Sequence, residues 1–194
     1  MLETLGTRIM IGAAAAVLLA MLAGWLWYRR VKSRSIDARL ESASKAVLKD
    51  FLIPDGNSGE IHIEYALLTA RGILILHIKD VQGHVFGSDA MHDWTVIDGR
   101  QRFTFHNPQM SLFDRIAAVG RITPNVPVDG YIAFTNRALF TKGQPSHVIH
   151  VDQLLTELEQ QHEYKDKVLE AFLPSWDLLE QEAVATPMSH LIRD

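Results

Sequence analysis

The sequence predicts a mixed α/β domain preceded by a single transmembrane helix. Three observations carry that expectation: an uncharged apolar run near the N-terminus, a stretch of strict alternation that reads as a β-hairpin, and an interleaved order of strands and helices after it. The chain has 194 residues, 47% of them apolar and 22% charged, which suits one globular domain with an accessory segment. A domain of that size buries an adequate core without covalent staples. The absence of cysteine excludes a disulfide framework, a zinc ribbon and thiol chemistry.

Residues 9–28 contain no charge. At about 1.5 Å per residue a helix of that length crosses a hydrocarbon core of roughly 30 Å. Trp25, Trp27 and Tyr28 lie at its end as an interfacial belt, and Arg29, Arg30, Lys32 and Arg34 follow at once. That basic cluster places the rest of the chain in the cytoplasm, which makes the expected location the inner (cytoplasmic) membrane. A cleaved signal peptide is the rival reading, but it carries its positive charge before the apolar run and small residues after it. Here bulky aromatics stand at the boundary, so an uncleaved anchor is expected. The resulting organisation is residues 1–8 as an N-terminal segment, 9–28 as the membrane helix, 29–35 as a basic linker, 36–160 as the domain and 161–194 as an acidic helical tail.

From Ser35 to Phe51 the spacing predicts a helix, capped by Ser35 and apolar along Ala38, Leu40, Ala43, Val47, Leu48 and Phe51. The run from Pro54 to Gly59 ends it in turn residues. Ile61 to Gly83 is then the hairpin. Ile61, Ile63, Tyr65 and Leu67 alternate with His62, Glu64, Ala66 and Leu68, and the second strand, Ile73 to Val81, is apolar except at His77 and Lys79. A two-residue loop (Ala70, Arg71) or a four-residue loop (Thr69 to Gly72) sets Glu64 opposite His77 and His62 opposite Lys79. A three-residue loop throws Glu64 to the other face. The first arrangement is favoured because it gathers four polar side chains on one side of an otherwise apolar ribbon.

Short strands follow at Val85 to Asp89, Trp94 to Ile97 and Arg102 to Phe105. Asn107-Pro108 opens a helix from Gln109 to Gly120 with Leu112, Ile116 and Val119 as its stripe. Gly130 to Thr135 reads as a buried strand and His147 to Val151 as the last one. Asp152 then caps a helix to Gln161, and a final helix runs from Tyr164 to Leu173 and resumes after Pro174. Trp94, Phe103 and Phe105 read as core residues rather than base-stacking platforms.

Charge is unevenly spread. Residues 36–150 hold 11 Lys or Arg and 12 Asp or Glu, whereas residues 151–194 hold 3 against 10. The near-neutral core gives no electrostatic support for tight non-specific nucleic-acid binding. The acidic tail is a solvated helix face and the candidate surface for a protein partner.

The stretch from about Arg39 to Leu158 resembles the nuclease-related (NERD) domain, a relative of the PD-(D/E)xK nucleases. The resemblance rests on Ile63-Glu64-Tyr65 in place of the family's Ile-Asp-His, and on Arg71-Gly72-Ile73. It rests also on His77-Ile78-Lys79 followed by Gly83 in place of Glu-x-Lys and a glycine, on Trp94, on Asn107-Pro108 and on Phe134-Thr135. It implies a restriction-endonuclease-like mixed sheet flanked by helices. It also implies a divalent ion, magnesium or manganese, held by Glu64, His77 and Glu41, with Glu64, His77 and Lys79 as the catalytic set. His77 stands where the family usually has an acid, and imidazole is a poorer magnesium ligand than carboxylate. Two functions are therefore expected: metal-dependent hydrolysis of DNA or RNA at the membrane face, or a tethered binding module that keeps the fold without the chemistry.

Overall fold

The computed structural model describes residues 35–161 and 166–185, together with Met21. The expected membrane helix falls outside the described residues apart from Met21. Among those residues no helix is long and apolar enough to cross a membrane. The chain divides into two units between Arg39 and Leu40, a boundary that falls within the first described helix, and the sheets and later helices below are those of the second.

Helix α1 (Ile36–Ala43) is half as long as its spacing suggests. Ser35 caps it as expected, accepting the Ala38 N–H at 3.3 Å. It stops because the next residues are taken by a sheet. Strand β1 (Ala46–Pro54) pairs antiparallel with β2 (Glu60–Thr69) from Ala46↔Leu68 to Pro54↔Glu60. Val47, Leu48, Phe51, Leu52 and Ile53 satisfy a helical stripe and a buried strand equally well, and the long ladder decides between them. The expected helix to Phe51 is thus corrected to a short helix and an edge-side strand. Pro54 ends the strand, where its missing N–H costs nothing.

Strand β3 (Gly72–Lys79) returns beside β2 through the two-residue loop Ala70-Arg71, with Thr69 opposite Gly72 and Tyr65 opposite Leu76. This is the favoured register. Gly72 has φ 124°, and a Cβ there would lie 2.1 Å from the Pro127 carbonyl oxygen. The neighbouring Ile73 N–H donates to that same oxygen at 2.9 Å, so only glycine lets the next connection approach.

Between β3 and its parallel neighbour β7 (Val128–Phe134) the chain builds a helix and three strands of a second sheet, whose fourth strand follows β7. The sheet comprises β4 (Gly83–Phe86), β5 (Asp93–Asp98), β6 (Gln101–His106) and the short β8 (Ala138–Leu139), in the order β6-β5-β4-β8. The helix, α2 (Gln109–Ile122), begins after Asn107-Pro108; the Asn107 side chain accepts the Gln109 N–H at 2.9 Å and donates to the Met91 carbonyl. After β9 (Val148–His150) come α3 (Val151–Gln161) and α4 (Asp166–Glu182), and β10 (Val184–Ala185) closes the first sheet in the order β10-β1-β2-β3-β7-β9. Both sheets are mixed and helices flank them.

The helices lie on opposite faces of the six-stranded sheet. A side chain at Gly130 would meet Leu112 and Ile116 of α2. The next residue, Tyr131, points the other way and lines a pocket with Leu154 and Leu158 of α3. Ile75, paired with Gly130, therefore shares the α2 face, as do His77 and Lys79 at i+2 and i+4. Helix α4 adds Trp176 and Leu179, both fully buried, to the same core as Ile75 and Leu112.

Two exposed carboxylates tie loops together. Asp80 accepts from Thr135 Oγ1 at 2.7 Å and from Arg137, and Asp89 accepts from Gln109 Nε2 at 2.7 Å and the Ser146 N–H at 2.9 Å. These donors, led by Arg137 and Gln109 respectively, hold both carboxyls below the ordinary 3.8. A depressed folded-state pKa contributes stability that is present above the unfolded value and is lost as pH falls through the folded one. The Asp80→Asn, Asp89→Asn double variant is expected to lose less of its urea midpoint than the parent between about pH 5 and about pH 2. Parallel acid profiles would contradict the assignment.

Candidate functional site

The ladder between β2 and β3 has its last pair at Tyr65↔Leu76, and the polar residues begin one step beyond it. Since the Ile73 N–H points toward the β7 side, alternation turns the Ile78 N–H toward β2. There it finds the side chain of Glu64 rather than backbone: Oε2 accepts the Ile78 N–H at 2.8 Å. The same oxygen lies 2.8 Å from His77 Nδ1. Glu64 therefore holds β3 in place and orients the imidazole, and with Nδ1 donating, the lone pair of neutral His77 sits on Nε2. Both side chains are about one quarter exposed, at 26% and 27%, so solvent and ligands reach them.

Two cations accompany this pair. Lys79 Nζ lies 5.6 Å from the centroid of the Phe105 ring, a cation–π contact made across the two sheets. Burial pulls the Lys79 pKa below its ordinary value; Glu64 works against that shift and Arg115 reinforces it. Arg115, on α2, donates from Nε to the His62 carbonyl at 2.7 Å. Its pKa too is lowered by burial, an effect opposed by Glu64 and then by Asp114. Glu64, Lys79 and Arg115 thus feel one another's charge in a half-buried space with a net excess of one positive charge.

The expected cluster is brought together in part. Glu64 and His77 are in contact and Lys79 is beside them. His62 has its imidazole toward Asp50 instead, Nε2 to Oδ1 at 3.6 Å. Asp50 has φ 49°, a left-handed conformation inside β1 that Asp tolerates better than most residues. Glu41 faces solvent on α1, whose buried residues are Leu40 and Ala43. Arg115 was not anticipated, although it stands at a stripe position between Leu112 and Val119, where a charge has to find an inward partner. Trp94 is core as expected and Phe105 packs against that core beneath Lys79, whereas Phe103, expected in the core, is 46% exposed on the edge strand β6.

The donor set does not fit the divalent ion that the resemblance implies. Oε2 of Glu64 already accepts two N–H donors, and the His77 nitrogen nearest to it carries a proton rather than a lone pair for a metal. Magnesium and manganese favour several oxygen ligands. Among the described residues no three His, Cys, Asp or Glu side chains are grouped to hold a metal ion, so the set Glu64, His77 and Glu41 is not assembled.

A carboxylate, an imidazole and a lysine thus lie together on neighbouring strands at one face of a mixed sheet flanked by helices. Residues 24–135, more than half of the chain, match the family described as the nuclease-related domain (NERD). The chain belongs to that family. No curated protein matches it, and no solved structure does.

Proposed function

We propose that this is a membrane-anchored, nuclease-related protein whose α2-side face takes the phosphodiester backbone of nucleic acid at Lys79 and Arg115, beside the Glu64–His77 pair. The observation that carries the reading is the placement of Lys79, its amine 5.6 Å over the Phe105 ring on the face that holds the Glu64–His77 contact; burial lowers its pKa, so keeping it charged there is a cost to the fold. That cost is full below the folded-state pKa and vanishes as pH rises past the unfolded value. Retaining such a group makes sense where an anion is to be met. The fold supports the same reading, because the mixed six-stranded sheet with helices on its faces is the architecture that the resemblance implies. The anchor is inferred from the uncharged run at residues 9–28 and the basic residues after it.

The test is binding of fluorescent single-stranded DNA, RNA and duplex to the full chain in detergent micelles, across a salt series. Lys79→Met is expected to weaken binding at least about tenfold and to reduce the salt slope by about one, while its Tm does not fall. A drop in Tm with unchanged affinity would make Lys79 a structural residue and remove this reading. A catalytically silent binding module is the second reading, favoured by the poor match between the donor set and a divalent ion.

A further inference from the structure

We infer that the Glu64–His77 pair is a carboxylate-oriented general base that cleaves RNA without a divalent ion, using the substrate's own 2′-hydroxyl as the nucleophile. The inference rests on the nucleic-acid reading above and names its substrate. It begins from the mismatch between the site and a metal. A histidine whose Nδ1–H is fixed by a carboxylate at 2.8 Å presents Nε2 as a proton acceptor. The Ile78 N–H at 2.8 Å holds that carboxylate in turn, so the orientation is built into the strand pair.

A base of this kind, with no ion to activate water, needs a nucleophile already beside the phosphorus. RNA supplies one and DNA does not. The 2′-oxygen is tethered next to the phosphodiester, and such intramolecular placement is worth a very high effective concentration. The charge that builds on the phosphoryl oxygens in the transition state faces two cations, Lys79 over the Phe105 ring and Arg115 held by the His62 carbonyl.

The step balances without a further reactant. His77 Nε2 takes the 2′-OH proton as the 2′-oxygen bonds to phosphorus. The bond from phosphorus to the 5′-oxygen breaks, and that oxygen leaves with a proton from the Lys79 ammonium. The products are a 2′,3′-cyclic phosphate and a 5′-hydroxyl, and the proton on His77 passes through solvent to restore Lys79.

The experiment uses the full chain in detergent micelles with excess EDTA. Three labelled oligonucleotides of one sequence are compared: RNA, all-deoxy, and RNA with 2′-O-methyl groups. Cleavage of the RNA alone, with 2′,3′-cyclic phosphate ends by mass spectrometry, is the expected result. His77→Asn, prepared identically, should lose about 10²- to 10⁴-fold in rate while still binding RNA. Cleavage of RNA and DNA alike, only with a divalent ion and leaving 5′-phosphates, would overturn the inference and leave the phosphodiester reading standing. Binding without cleavage under any condition would overturn it too. Absence of binding to every oligonucleotide would remove both.

Discussion

Trp94→Ala is expected to destabilise the domain by about 3–5 kcal/mol, the range for deleting a large buried aromatic. Trp94 is fully buried although it belongs to the smaller sheet. Its ring lies stacked 6.4 Å from Phe134 at the end of β7 and edge-on 6.0 Å from Phe105. It also closes over Gly87, where a Cβ would fall 2.4 Å from the indole. The indole therefore joins two sheets, and alanine leaves a cavity between layers that neither can fill by shifting alone. Urea denaturation with an unchanged m-value measures the loss. A cost below about 1 kcal/mol would mean that the second sheet docks independently of this ring. The proposed nucleic-acid binding at Lys79 should weaken in parallel, because Phe105 reaches the lysine from the same sheet.

Glu64→Ala should disturb both the strand pairing and the site. It removes the acceptor for the Ile78 N–H and the partner of His77 at once. A donor left without its acceptor costs about 1–3 kcal/mol when buried, and less here because Glu64 is partly exposed. Any activity should fall about 10²- to 10³-fold. Glu64→Gln separates the two roles, since its amide oxygen still accepts from Ile78 and orients the ring but carries no charge. Its stability should fall less than that of the Ala variant, by the loss of the charge that offsets Lys79 and Arg115, with kcat reduced and KM unchanged. A Gln variant as active as the parent would reduce Glu64 to a strand clamp.

The register of the central hairpin was legible because alternation, a short loop and four polar residues all pointed to one pairing. Glu64 and His77 could be placed face to face on that basis alone. Strand β1 was not legible, since the apolar residues from Val47 to Ile53 fit both a helix and a strand, and the deciding term is a ladder with β2 that lies outside the segment. Arg115 was hidden for a related reason. Its spacing marks an inward position, but only the packing of α2 across the sheet makes the His62 carbonyl and Glu64 its neighbours. The partner of His62 was hidden too, since Asp50 lies on the strand whose spacing also fits a helix. Such gaps arise wherever a residue's partner comes from a distant element.

Strand β10 pairs Val184 and Ala185 with Leu52 and Phe51 of β1. The last described residues thus seal the open edge of the first strand of the sheet, and α4 sets Trp176 and Leu179 into the core on the way. During synthesis the sheet is therefore complete only after residue 185 has left the ribosome. Until then β1 waits with unpaired peptide groups on its open side, the kind of edge on which nascent chains associate. Premature termination before α4 should accordingly yield material that aggregates or is degraded, not a smaller working domain.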